Sequence, residues 1–451
     1  MARRSLARAP RSNRRLTVLS VTLSRALGWG LFALLAAPSA PLAAAICTVD
    51  TQPGATLLLP YFEVDLDNPD GLTTLFSVNN ASATVVLAHV VVWSDLAVPV
   101  MNFNLYLTGN DVQSLNLRDL LVAGRLPQTA SSTQDPNDII SPKGQFSQDL
   151  PFPSCTGQLP PPPLPADFLA GVQLALTGRS SPLLSGQCAG RYLGDNIARG
   201  YVTVDTVNNC TLRVPGDPGY FGAAGTGDVT DQNVLWGAWF IVNSTQNYAE
   251  GADLVPIEAD AGNPAVSSAG RYTFYGRYDG WTGIDHREPL ATRFATQYLS
   301  GGLFDGGTDL LVWRDPKVAQ EPFTCPAVSG ISPAWYPLDE EGLTIFDEQE
   351  HPLVPQLFPC APVTCPQQAH PFTAAAQRVK VGGADFPVPF NFGWLEIDLN
   401  QATAAAGNNP PGDPGAAQAW VVATLTSHGH YAVTLDAFRL DSACAASHFL
   451  P

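Results

Sequence analysis

Only three lysines occur in the 451 residues, Lys143, Lys317 and Lys380, and basic residues total 23 against 40 acidic ones. Seven of those basic residues (Arg3, Arg4, Arg8, Arg11, Arg14, Arg15 and Arg25) fall in the first 45 positions, which hold no acid. The remainder carries 16 basic and 40 acidic residues, a net charge of −24. A surface this acidic does not hold a phosphate backbone by counterion release, so nucleic acid is not expected as a partner. Apolar runs of the roughly 20 residues needed to span a bilayer are also missing, which argues against a transmembrane anchor. Helical periodicity is scarce, and 40 prolines with 39 glycines exclude long helices. There is no Gly-x-Ser-x-Gly elbow and no regular βαβ alternation to carry one.

What is present begins with a leader. The arginine-rich start is followed by the apolar stretch Leu27–Leu35 and the small residues Ala43-Ala44-Ala45. That order predicts a cleaved signal peptide over 1–45 and a secreted or periplasmic protein after cleavage near Ala45. Ile46 stands where a small residue precedes a lipidated cysteine, so Cys47 is not read as a lipid anchor. All eight cysteines follow the leader: Cys47, Cys155, Cys188, Cys210, Cys325, Cys360, Cys365 and Cys444. An even number in an exported chain predicts disulfide bonds, with 105 possible connectivities. Cys360 and Cys365 have no second pair of matching spacing, which disfavours zinc.

The rest of the chain reads as strands between turns. Residues 72–79 and 84–93 are β-branched and aromatic runs, the second apolar on both faces and therefore expected to be buried on both. Further strands are expected at 103–107, 200–207, 235–243, 271–278, 309–313, 394–399, 419–425 and 431–438. Ser114–Val122 and Phe168–Thr177 read as helical turns. Four motifs recur in one order: a Phe strand (Phe76, Phe294), Val-Trp-x-Asp (to Asp95, Asp315), Gly-aromatic-x-x-aliphatic-Asp (to Asp205, Asp398) and a Trp strand (Trp236/Trp239, Trp420). The fold class expected is mostly β, as two immunoglobulin-like β-sandwich modules with long Pro-rich loop insertions, over 46–285 and 286–451.

The runs Pro53–Val64, Tyr106–Gln113, Asn116–Asp119, Arg199–Asp205 and Gly306–Asp315 resemble a family of uncharacterised exported bacterial proteins. The resemblance covers most of the chain after the leader and implies export, with no catalytic residues to carry over. Each half more loosely resembles the immunoglobulin-like sandwiches of bacterial surfaces, and such a likeness does not transfer function.

Candidate chemistry is sparse. His428 and His430 flank Gly429 between two apolar runs, a hairpin turn rather than a metal pair. His89 lies in an apolar strand and reads as a core histidine; His286, His351, His370 and His448 lie in loops. The acidic turns Asp65–Gly71 and Asp305–Asp309 suggest calcium, but the first breaks the EF-hand pattern at Pro69 and Asp70. Asp339, Glu340, Glu341, Asp347, Glu348 and Glu350 are loop acids suited to glycoside hydrolysis only if two face each other. Trp281, Trp335 and Tyr336 lie in loop-like contexts where they would stack on sugars, whereas most tryptophans fall in strands and read as core. No catalytic, cofactor-binding or metal-binding set emerges. The expected function is a non-enzymatic secreted protein with a structural, adhesive or cell-surface binding role. The alternative is a carbohydrate-active protein, either a glycan binder or a hydrolase using loop carboxylates. The partners to look for are an extracellular protein or a glycan.

Overall fold

The computed structural model describes residues 52–441, apart from 128–152, 326–341, 354–370, 401–417, 428–430 and several stretches of one to six residues. The leader, Cys47, Cys360, Cys365, Cys444, His370, His428, His430, His448, Asp339, Glu340, Glu341, Trp281, Trp335 and Tyr336 lie outside the described residues.

The protein is mostly β, and its sheets are antiparallel. Among the described residues the N-terminal half supplies ten strands: β1 (Thr56–Asp65), β2 (Leu72–Asn80), β3 (Val86–Ser94), β4 (Pro99–Leu107), β5 (Val112–Asn116), β6 (Ile197–Val207), β7 (Leu235–Trp236), β8 (Ala238–Asn243), β9 (Tyr248–Asp253) and β10 (Val255–Ile257). They form a first sheet in the order β10-β1-β6-β3-β4 and a second in the order β5-β2-β8-β9, with β7 extending β8 along β2. The C-terminal half supplies β11 (Arg293–Leu299), β12 (Gly307–Arg314), β13 (Gly342–Phe346), β14 (Pro352–Leu353), β15 (Ala376–Lys380), β16 (Phe392–Asp398), β17 (Ala419–Ser427), β18 (Tyr431–Asp436) and β19 (Phe438–Arg439). A third sheet runs β15-β12-β17-β18 and a fourth β14-β13-β16-β11-β19.

The alternation of side chains across a strand explains how these sheets stack. Leu310, Val312, Val421 and Ala423 face the fourth sheet and join a core with Phe294, Ile345, Leu395 and Ile397. Leu311, Trp313, Trp420 and Val422 point the other way, into a core shared with Leu57, Trp93, Val204, Phe76 and Trp239 of the N-terminal half. The centre of the third sheet, where β12 pairs with β17, is therefore apolar on both faces and buried between the two halves, whereas its edge strand β18 is largely exposed. A seam of aromatic rings crosses this boundary: Trp93 stacks on Tyr201 at 5.6 Å, and Tyr201 meets Trp313 edge-on at 6.0 Å. Offset and edge-to-face arrangements of this kind are those the ring quadrupoles favour.

The four recurring motifs are all strands, but they are not paired alike. In the N-terminal half β3 pairs with β6 and β2 with β8. In the C-terminal half β11 pairs with β16 and β12 with β17. The same order of motifs thus builds different sheets.

Two segments depart from expectation. β1 is an unbroken strand despite Pro60, second from the edge of the first sheet, and its outer neighbour β10 covers only Thr56–Leu58. Its register against β6 shifts between Leu59 and Phe62, and a bulge of this kind accommodates a residue that has no N–H to donate. Residues 273–280 form a turn and a short helix, α1 (Gly276–Asp279), instead of a strand. Here the Tyr275 N–H donates to the Asp285 carboxylate at 2.7 Å, and Gly280 closes the turn at φ 70°. The two helical turns expected from the sequence are present at Leu117–Leu121 and Ala166–Leu176.

Among the described residues two disulfides are present, Cys155–Cys210 and Cys188–Cys325. The second ties the N-terminal half to the segment after β12, beside a backbone bridge between Cys188 and Phe323. Among the described residues no helix is long and apolar enough to cross a membrane.

Candidate functional site

A cavity of about 550 Å³ opens where the two halves meet, lined by Glu63, Leu72, Gln246, Tyr248, Gly306, Asp309, Arg378, Lys380 and Thr426. Its N-terminal wall is built from strand ends. Glu63 lies on β1 just past the bulge, and its backbone is fixed by Thr74, whose hydroxyl accepts from the Glu63 N–H at 3.0 Å and donates to the Glu63 carbonyl at 2.9 Å. Glu250 and Tyr248 stand on the edge strand β9, and the Tyr248 hydroxyl donates to Glu250 Oε2 at 2.6 Å. The C-terminal wall is the third sheet. Asp309 on β12 is directly opposite Lys380 on β15, and Arg378 is opposite Leu311, so all three polar side chains share the face turned to the N-terminal half.

Arg378 organises the site. Its Nε donates to Glu63 Oε2 at 3.1 Å, its Nη1 donates to Glu250 Oε2 at 3.3 Å, and its Nη2 closes on Glu250 Oε1. Asp309 Oδ2 lies 3.6 Å from Nη1. The guanidinium sits over the Tyr61 ring, 5.9 Å from its centroid. Burial opposes the Arg378 charge, but Glu63, Glu250 and Tyr61 outweigh it and hold its pKa well above the ordinary value. Arg199 supports Glu63 from the other side at 3.5 Å. Burial pushes the Asp309 carboxyl up, against the pull of Arg378 and Lys380. Burial and the Glu250 charge likewise raise the Tyr248 phenol. Lys380 is exposed and its ammonium donates to the Gly306 carbonyl.

Chemically this is a planar fork shared by three carboxylates, a geometry that suits arginine because its donors are preorganised. Glu63 and Glu250 are both occupied by the guanidinium. Lys380, Asp309, Tyr248, Gln246 and Thr426 are the polar groups left to meet a ligand.

The residues singled out in the sequence are distributed as follows. Asp309 alone is drawn into the cleft. The turn Asp65–Gly71 is closed by its own side chains, with Asp65 Oδ1 accepting from the Asp67 and Asn68 N–H groups at 3.1 and 3.0 Å. Arg118 donates to the Asp65, Asn68, Gly71 and Leu72 carbonyls, so a guanidinium takes the oxygens a cation would use. His89 is wholly buried, with Nδ1 3.0 Å from Asn104 Oδ1, and burial lowers its pKa. Asp347 caps its own turn and meets His351 Nδ1 at 3.0 Å. His286 meets Asp231 at 2.7 Å. Ser427 faces Tyr431 across the β17–β18 hairpin, with residues 428–430 between them. Among the described residues no group of three or more His, Cys, Asp or Glu is placed to hold a metal ion.

Sequence reasoning passed over Glu63, Glu250, Arg378 and Lys380. A usable signal was present for Glu63, which interrupts the apolar run of β1, since a charge in a buried strand is found paired or not at all; β9 and β15 are of mixed polarity and carry no such mark. The pairing itself spans 315 residues between Glu63 and Arg378 and leaves no local trace.

No known protein family, no curated protein and no solved structure matches this chain.

Proposed function

We propose that this chain is an exported, non-enzymatic β-sheet protein with a structural, adhesive or cell-surface binding role, residues 1–45 being its cleaved leader. Its cleft between the two halves is the ligand site. The observation that carries this reading is the state of the cleft carboxylates. Glu63 and Glu250 are held by one guanidinium, in a pairing that opposes the free acid and free base of a glycoside hydrolase. What remains open to a ligand is a lysine, a phenol, an amide, a hydroxyl and one half-buried carboxylate, which together favour a polar molecule bearing both donors and acceptors. A ligand seated there touches both halves and stabilises their junction.

The experiment is a binding and turnover screen in parallel, using cell-envelope extracts and a glycan panel. Saturable capture of a ligand that is recovered intact supports the reading. Turnover of any polysaccharide, abolished by changing one cleft or loop acid, overturns it in favour of a carbohydrate-active enzyme. The glycan-binding form of that second reading has its own support in exposed aromatic side chains on the second sheet.

A further inference from the structure

We infer that the outer face of the second sheet is a binding platform for a neutral polysaccharide. The inference rests on the binding role proposed above and gives it a ligand class and a second surface. The face is defined by register. Trp236 and Phe240 are both 50% exposed, while Leu235, Trp239 and Ile241, on the opposite face of the same strands, are buried. Trp236 is opposite Asn79 on β2, which is in turn opposite Val112 on β5, itself 59% exposed. Phe240 is opposite Leu75 on one side and Gly251 on the other. A Cβ at Gly251 would come within 2.5 Å of the Phe240 ring, so the ring lies across the glycine and stays half exposed.

Two rings four residues apart on one strand face stand about 13 Å from each other. That spacing suits a chain of linked sugar rings better than a monosaccharide. Aromatic faces attract the C–H surfaces of pyranose rings, and amides and hydroxyls meet sugar hydroxyls. Between the two rings the face carries Ser77 on β2 and Ser114 on β5, with Asn79 level with Trp236. Asn79 is 3% exposed, and its amide oxygen accepts no hydrogen bond from any described residue, an unspent acceptor beside Trp236. Lysine and arginine are missing from the strand positions of this face, and Asp253 at its edge is the one acid. A neutral ligand fits this composition, whereas an anionic one meets the acidity of the whole chain.

The test is affinity electrophoresis of the full chain after the leader, disulfides intact, in gels containing mixed-linkage β-glucan, glucomannan, galactomannan or dextran, with polygalacturonate as the anionic probe. Retardation by at least one neutral polysaccharide is expected, with Kd weakened at least tenfold in Trp236→Ala and in Phe240→Ala. Phe438→Ala, which removes a 79% exposed ring on the fourth sheet, should leave it unchanged. Unfolding midpoints of the three variants should stay near that of the parent. Retardation indifferent to both face variants overturns the inference while leaving the binding role standing, and so does retardation by polygalacturonate alone. A lack of retardation by every neutral polysaccharide overturns the inference. So does a dimer that Trp236→Ala dissolves, because the face then belongs to a second copy. Release of reducing ends during the assay would instead contradict the non-enzymatic role.

Discussion

Asp205, near the C-terminal end of β6, and Arg287, on the segment leading into the C-terminal half, lie 3.5 Å apart and are both buried. Around them Thr56 donates to Asp205 Oδ1 at 2.5 Å, and Tyr220 and Tyr275 donate to Oδ2 at 2.5 and 3.0 Å. Arg287 completes the set with Thr56 and Asp285. Burial and the Asp205 charge raise the phenols of Tyr220 and Tyr275, which keeps them as donors. Removing one partner of such a network strands a buried charge, so Arg287→Ala should cost about 3–5 kcal/mol. Denaturant titration of parent and variant measures this. A loss below about 1 kcal/mol would mean that water solvates Asp205 in the folded state.

In the cleft the two cations should behave differently. Arg378→Ala leaves Glu250 buried without a cation and Glu63 with Arg199 alone, with an expected loss of about 3–5 kcal/mol in unfolding free energy. Lys380→Gln alters an exposed side chain and should change stability by less than about 1 kcal/mol. If the cleft binds ligand, Lys380→Gln weakens capture without shifting the unfolding midpoint. Calorimetric unfolding and ligand titration on the same samples separate the two effects.

The Cys188–Cys325 bond closes a span of 137 residues and joins the two halves. Replacing both cysteines by serine should lower stability by about 2–5 kcal/mol. Peptide mapping of the native protein under non-reducing conditions should recover the 155–210 and 188–325 pairs together. Free thiol at these four positions would contradict the export proposed above.

His286 and Asp231 form a pH-dependent latch. The hydrogen bond to Asp231 raises the His286 pKa above 6.5, and the His286 partnership lowers Asp231 below 3.8 against the effect of its burial. For the histidine, stability is fully present below pH 6.5 and is lost as pH rises through the raised value. For the aspartate it is present above pH 3.8 and is lost as pH falls through the lowered value. Asp231→Asn should therefore cost most near pH 5 and least near pH 9. Asp231 is partly exposed, which limits the effect to about 1 kcal/mol or less. A destabilisation independent of pH would show that the pair contributes packing alone.

Much of the fold was legible because the strands are long and chemically pure. The apolar runs around Val90, Val204, Val312 and Val421 could be little else, and double-sided apolarity at Leu87–Trp93 translated into burial on both faces. β1 was obscured by Pro60, whose effect is neutralised by a bulge visible only in the pairing. The segment at Tyr275 has strand composition, but Asp285 captures its backbone and bends it. Of the cleft only Asp309 was in view, since Arg378 meets Glu63 and Glu250 from distant parts of the chain. Tryptophan was read as core, correctly for Trp93, Trp239 and Trp313; Trp236 and the half-buried Trp394 are exceptions, and strand alternation from Trp239 and from Leu395 is the signal that places them outside.

The most direct measurement is a titration of captured ligand against the parent chain with product analysis in the same tube. Saturable binding weakened by Lys380→Gln is expected, with the ligand chemically unchanged at the end. Catalytic conversion of that ligand, lost on changing Glu63, Glu250 or Asp309 in a folded variant, would contradict it.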